Sequence, residues 1–462
     1  MTGLLPQFHL APGVAGPDTP VRSREDLVAF LAAGERPAAR LLGIELERVP
    51  LLADGTAAPF GGAPASVERL LQHLARVHGH ATTEVEGRVV GLSDGAWQVH
   101  LEPGAQVEVA LPPRGTAREV LDDLRDWEHQ LAEAAGETGV HVAAIGLQPV
   151  TPVRRVGWVP KERYAIMSEH LGARGALAHH MMKATAGVQF TLDYATEDDA
   201  AAIVRVALAV SPIVKAMAVN SPLEEARPNG WLSKRPEVWR HTDPDRTGLL
   251  PWVFDDEGYR HARYVDWALG VPVMFVVRDE RWIRLGDLTF GELLERGHPL
   301  AGAATHGDFA LHLTTLFPEV RVKQHVEIRG ADTASPELSA AIAALWRGVA
   351  YDGEARAAAL ELTAAWTPQE RAQIHSDSGR FGLGARIAGS DVRNLARRLL
   401  KIAEDGIDRV EVAARSEGHA GSGSDAPLLD PLHAIVESAV TPAERLLTEF
   451  AAEGPRALLR RV

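Results

Sequence analysis

Acidic side chains spaced two apart recur on strand-like segments of this sequence. That spacing sets them side by side on one face of an extended chain. Residues 101–110, LEPGAQVEVA, form the clearest case. Read with a period of two, Gln98, His100, Glu102, Gly104, Gln106 and Glu108 share one face. Val99, Leu101, Ala105, Val107 and Val109 share the other. A lone strand of this kind is most simply a polar face turned to water. Here the pattern repeats. Residues 43–49, GIELERV, set Glu45 and Glu47 opposite Ile44 and Leu46. Residues 186–193, AGVQFTLD, set Gln189, Thr191 and Asp193 opposite Val188, Phe190 and Leu192. Residues 321–332, RVKQHVEIRGAD, set Arg321, Lys323, His325, Glu327 and Arg329 opposite Val322, Val326 and Ile328. Carboxylates facing one another across a sheet repel, so this face calls for cations. Hard oxygen donors suit magnesium or manganese, and magnesium commonly bridges protein carboxylates to phosphates. Arg321, Lys323 and Arg329 can then meet phosphate oxygens.

These strands need helices to cover their apolar faces, and the cap signals are plain. Ser23 with Asp26 opens a helix that stops at Gly34; Ser66 opens another to His78. Residues 88–92 read as a short strand, Trp97 begins the central strand, and residues 140–147 read as a further strand. Thr116 with Glu119 caps a long helix to about Gly136, and Thr196 with Asp199 opens one to about Met217. Residues 161–184 read as mostly helical. They include His179 and His180, which as helix neighbours point about 100° apart and so read as structural or surface residues, not a metal pair. Ser335-Pro336, Thr367-Pro368 and Thr441-Pro442 start three C-terminal helices. Residues 220–248 are irregular but hold Trp231, Trp239 and several arginines, which predicts a substrate-binding loop.

The 462 residues are 46% hydrophobic and 24% charged, which predicts a globular chain with a large core. A net charge of -14 argues against a general nucleic-acid binder. With 0 cysteines there is no thiolate nucleophile, zinc-thiolate site or disulfide. No apolar run reads as long enough to span a bilayer, and the N-terminus lacks a secretory pattern, so the expectation is a cytoplasmic protein without membrane partners. Residues 1–21 read as a flexible tail, and residues 22–462 as one catalytic domain with a flexible insertion near 416–427. No phosphate-binding glycine loop occurs.

The blocks GIELER, VVGLSDGAWQVHLEPGAQVEV, PKERYAIM, HHMMKATAGVQFTLD, NSPLEEARPNGWLSKRPEVW, TDPDRTGLLPWVFDD, HLTTLFPEVRVKQHVEIRGAD and VTPAERLL, in this order, give the chain a resemblance. It is similar to glutamate–cysteine ligases of the plant and proteobacterial type, from about Leu42 to the end. That resemblance implies an α+β, glutamine-synthetase-like fold: a curved antiparallel sheet with an acidic concave face, backed by helices. It implies ATP-dependent ligation of L-glutamate to L-cysteine through γ-glutamyl phosphate, the first step of glutathione biosynthesis, by a monomer or weak homodimer. Carried over by motif, Glu45, Glu47, Glu102, Glu108 and Glu327 would bind Mg2+, or Mn2+ in its place, with Gln189 beside them. Arg329 would face the transferring phosphoryl group. Arg235 would hold the glutamate carboxylate and Trp239 would wall its pocket, with Thr185 and Arg246 as further substrate-binding candidates. Leu46 stands where relatives often have histidine, Met274 where they have an aromatic residue, and the absence of cysteine rules out a disulfide switch. Alternative readings are a γ-glutamyl ligase with another acceptor amine or in ergothioneine synthesis, and an inactive nucleotide- or glutamate-binding relative.

Overall fold

Alternating apolar and polar residues become one open antiparallel sheet. The computed structural model describes residues 16–37, 40–416 and 423–461. In chain order its strands are β1 (Leu42–Leu51), β2 (Ala81–Val85), β3 (Arg88–Ser93), β4 (Gln98–Leu101), β5 (Val107–Arg114), β6 (His141–Ala143), β7 (Gly187–Leu192), β8 (Val320–Val322) and β9 (Val326–Asp332). Their spatial order is β8-β9-β7-β1-β5-β4-β3-β2, with β6 pairing the end of β1. The acidic strand β1 is therefore central, flanked by β7 and β5.

One face of the sheet is dry. Ile44, Leu46, Val107, Val109, Val188, Phe190, Val326 and Ile328 are buried there, each side chain contributing about 1.5–3 kcal/mol by leaving water. Arg48, on the same face, donates to Glu128 of the helix α3 (Ala117–Thr138) at 2.8 Å, which marks this as the helix-backed side. A second helix, Glu197–Met217, packs on β9 and is itself surrounded by helices Pro336–Tyr351, Pro368–Phe381 and Val392–Ser416. It corrects the expectation that no segment could span a bilayer, since by length and composition it would pass. Most of it is buried as a core helix of this fold.

Most predicted caps form as read, Ser66 excepted, whose side chain makes no capping hydrogen bond. Ser23 with Asp26, Thr116 with Glu119, Thr367 with Glu370 and Thr441 with Glu444 all make reciprocal capping boxes. Other expectations change. The central strand is not continuous. It is a hairpin that turns at Pro103-Gly104, closed by Glu102 N–H donating to the Gln106 carbonyl at 2.9 Å and Ala105 N–H to the Glu102 carbonyl at 2.8 Å. Ala105 takes φ +69°, and Gly104 is pressed against the Lys183 carbonyl so closely that a Cβ would lie 2.3 Å from it. The fourth acidic segment is also a hairpin, β8 and β9 joined through residues 323–325. The strand predicted over 140–147 shrinks to β6, and β2, an exposed edge strand, was not foreseen.

Two segments expected to be flexible are tied down where they are described. Val21 N–H donates to the Ala304 carbonyl and His306 N–H to the Thr19 carbonyl; residues 1–15 lie outside the described residues. In the insertion, residues 417–422 lie outside the described residues. Asp425 is buried, accepts from Ala117 N–H (2.9 Å) and Arg118 N–H (3.1 Å), and so caps α3 a second time.

Candidate active site

The sheet register gathers the acidic residues. Glu47 lies directly opposite Glu108 across β1 and β5, His100 opposite Glu108 across β4 and β5, and Glu45 opposite Gln189 across β1 and β7. Glu102 begins the turn beyond β4. Burial first, and then the neighbouring carboxylates, raise the pKa of Glu45, Glu47 and Glu108. Glu47 is pushed up to about 7 by burial and by Glu102. Glu108 is pushed well above the usual carboxylate range by burial and by Glu45, Glu102 and Glu47. Glu45 is also raised, by burial and by Glu327. Glu47 has neutral donors only: Gly187 N–H at 2.6 Å and the Gln189 amide at 2.8 Å.

The other half of the floor has the opposite character. Glu327 is fully buried and receives two parallel hydrogen bonds from Arg321, at 2.9 and 2.7 Å, with Lys323 at 3.0 Å and Arg329 also in contact. Burial alone would raise its pKa, but Arg321, Lys323 and Arg329 outweigh it and hold the carboxyl well below its ordinary value. Arg329 also donates to the Gln189 side-chain oxygen Oε1 at 3.2 Å, so Gln189 joins the cationic half to Glu47.

Among the described residues no three acidic or imidazole side chains already converge as a coordination shell. The donor chemistry nevertheless fits a divalent cation. Glu45, Glu47, Glu102 and Glu108 carry hard oxygen donors of the kind such a cation takes, and none has an ion-pair partner among the described residues. Glu327 differs, because its charge is already matched by three cations.

The acidic floor opens into a cleft of about 1890 Å³, lined by Glu45, Glu102, Glu108, Lys323, Lys161 and Arg163 among others. Lys161 and Arg163 were not singled out from the sequence, although both stand in PKERYAIM. Lys161 donates to the Leu101 carbonyl at 2.9 Å, and Tyr164 donates to the same oxygen at 2.6 Å, which fixes the approach to Glu102. Burial, then Arg163, lowers the Lys161 pKa to about 7. The Arg163 guanidinium donates to the Tyr164 hydroxyl while its Nε is buried without a hydrogen-bond partner among the described residues.

Of the substrate-binding candidates, two come together. The predicted loop contains a short helix, Arg235–Arg240, and Arg235 at its start is buried, donating to the Ala331 carbonyl at 2.7 Å. Trp239, one turn on, packs on Phe317 with ring centroids 5.4 Å apart and has the Arg329 guanidinium 6.0 Å from its ring. The other two do not join them. Arg246 is fully buried and spends its donors on Asp243 (2.6 Å), His170 (2.9 Å), the Pro272 carbonyl (2.9 Å) and Thr315. The Thr185 hydroxyl donates to the Met181 carbonyl at 2.7 Å and is equally committed. Sequence shows charge and hydroxyl but not burial, and burial decides both cases. His179 and His180 turn to different partners, Ser168 and Glu224.

A profile of glutamate–cysteine ligase family 2 matches residues 41–460. The chloroplastic glutamate–cysteine ligase of Arabidopsis thaliana is 35% identical over 434 residues, covering 93% of this chain and 80% of the relative. Glutamate–cysteine ligase B, chloroplastic, of Oryza sativa subsp. japonica is 34% identical over 439 residues, covering 94% and 86%. Among solved structures, a glutamate–cysteine ligase from Francisella tularensis in complex with AMP superposes with a TM-score of 0.52 at 9% identity, covering 92% of this chain and 87% of that one. At that identity the likeness is one of fold, an open antiparallel sheet with helices. The chloroplastic relatives overturn the cytoplasmic expectation, which rested on composition and a missing secretory pattern, neither of which distinguishes those compartments.

Proposed function

The chain belongs to glutamate–cysteine ligase family 2, and on that premise we propose that it is an ATP-dependent ligase joining the γ-carboxylate of L-glutamate to the amine of L-cysteine, the first step of glutathione biosynthesis. The observation that carries the reading is the division of one sheet into two halves, carboxylates without an ion-pair partner among the described residues on β1 and β5, and, across β7, Arg321, Lys323 and Arg329 gathered on the β8–β9 hairpin.

The chemistry needs both halves. A γ-carboxylate oxygen of glutamate attacks the terminal phosphorus of ATP, and ADP leaves. The cysteine amine then attacks the γ-carbonyl carbon of γ-glutamyl phosphate, and inorganic phosphate leaves as the amine loses its proton. The first step drives an anion against a polyanion, so positioning and charge neutralisation supply the catalysis. Glu45, Glu47, Glu102 and Glu108 would hold Mg2+, which supplies charge neutralisation to the phosphates when bound. Arg329, beside Gln189 and over Trp239, would face the transferring phosphoryl group. Arg235 takes the glutamate carboxylate, with Trp239 as a wall. No protein nucleophile is required.

The proposed intermediate has a direct test. Glutamate labelled with oxygen-18 in its γ-carboxylate must pass one labelled oxygen to the phosphate released during cysteine-dependent turnover. Unlabelled phosphate would rule out the acyl-phosphate route.

A further inference from the structure

One buried carboxylate ties the start of the loop to the residues just before Arg235. Asp332 ends β9, is fully buried, and lies 99 residues along the chain from Ser233. Its Oδ2 accepts from the Asn220 N–H at 2.7 Å and the Ser221 hydroxyl at 2.8 Å, at the loop's beginning. Its Oδ1 accepts from the Ser233 hydroxyl at 2.9 Å, two residues before the loop's short helix. The Ser221 hydroxyl also receives the Lys234 N–H at 3.0 Å, one residue before Arg235. Asn220 closes the beginning through its amide, which donates to the Ala144 and Thr333 carbonyls.

The same few ångströms set the guanidinium. Arg235 Nη1 donates to the Ala331 carbonyl at 2.7 Å and stands 3.6 Å from Asp332. Its Nη2 passes over Gly187, where a Cβ would come within 2.5 Å of it. The N–H of that same glycine donates to Glu47. Arg235 Nε is buried without a hydrogen-bond partner among the described residues, a donor left over after their contacts. The guanidinium is thus held by its edge, with the acidic floor one residue away.

We propose that Asp332, acting through Ser221 and Ser233, and Gly187, by leaving room, are positioning residues that set affinity for the donor amino acid. This rests on the reading of Arg235 as the group that binds glutamate's carboxylate. A carboxylate clamp works only when the guanidinium plane is fixed, and a displacement of about 1 Å costs orders of magnitude in productive binding. The contacts of Asp332 with Asn220, Ser221 and Ser233 touch none of the carboxylates assigned to Mg2+, and Gly187→Ala keeps the N–H that donates to Glu47, so the effect falls on the donor amino acid.

The test is steady-state kinetics of Ser233→Ala, Gly187→Ala, Asp332→Asn and Arg235→Ala, with KM measured separately for glutamate and ATP, and thermal midpoints alongside. Ser233→Ala and Gly187→Ala should raise the glutamate KM by about tenfold or more, leave the ATP KM within about twofold, and retain a folded protein. Asp332→Asn should do the same more strongly; if it fails to fold, the two milder variants still decide. An unchanged glutamate KM in both milder variants, with Arg235→Ala raising it, would overturn the seat and leave the role of Arg235 standing. A rise shared equally between glutamate and ATP would also overturn it, because that is what loosening of the whole cleft produces. If Arg235→Ala itself left the glutamate KM unchanged, the reading beneath the inference would fall. Absence of any glutamate-dependent ADP formation in the wild type would remove the proposed reaction.

Discussion

Glu47 and Glu108 stand opposite each other across two neighbouring antiparallel strands, on the same face of the sheet, and neither has an ion-pair partner among the described residues. Like charges so placed destabilise a sheet. An arrangement that costs stability in the free protein and gains meaning only with a cation is expected of a functional site. Glu108→Gln should therefore raise the thermal midpoint measured in a chelator, by an amount corresponding to about 1 kcal/mol, while abolishing turnover. A lowered midpoint would mean that Glu108 is a structural residue.

The same repulsion fixes the sign of a pH effect. The folded pKa of Glu47, about 7, lies above its ordinary value of 4.5, so between those values the folded state holds more protons than the unfolded one. Metal-free stability must then decline as pH rises through that window, and a cation must offset the decline by favouring the ionised form. The midpoint shift produced by Mg2+ over a chelator should be larger at pH about 8 than at about 6. An equal or reversed shift would contradict the assignment of these carboxylates to a metal.

Glu102 and Glu327 should behave differently when each is changed to glutamine. Both should lose turnover. Only Glu327→Gln should cost substantial stability, about 3–5 kcal/mol, because Arg321, Lys323 and Arg329 would be left around a neutral amide in a buried place. Glu102, at the head of a turn, should change stability by less than about 1 kcal/mol. Denaturant unfolding of the two variants makes the comparison, and equal losses would refute the division of the floor into two halves.

Arg246→Ala should be a stability variant and not a substrate-binding one. It strands Asp243 and His170 in the core, so a loss of about 3–5 kcal/mol is expected, with the glutamate and ATP KM of the surviving folded protein near wild type. A raised KM in a fully folded variant would return Arg246 to the site.

Much of this site was legible because the side-chain period of a strand is two. Glu45, Glu47, Glu108, Gln189 and Glu327 could be placed on one face before any pairing was known. The interruption at Pro103-Gly104 was also written in the sequence, but alternation resumes in phase after the turn, so a hairpin read as one long strand. Short strands such as β2 and β6 carry too few residues for a period to show. The fate of Arg246 and Thr185 depended on burial, and the clasp of Asp332 on Ser221 and Ser233 depends on contacts about a hundred residues apart. Neither is a local property. The resemblance to a known family supplied roles that spacing alone could not, while Lys161 and Arg163 stood inside one of its blocks without drawing notice.

The central claim is best tested by phosphate release from the purified protein with ATP, Mg2+ and glutamate, with and without cysteine, and mass analysis of the product. The account predicts cysteine-dependent release with γ-glutamylcysteine formed in equal amount. Release driven by a different amine, or no release with any acceptor, would contradict it.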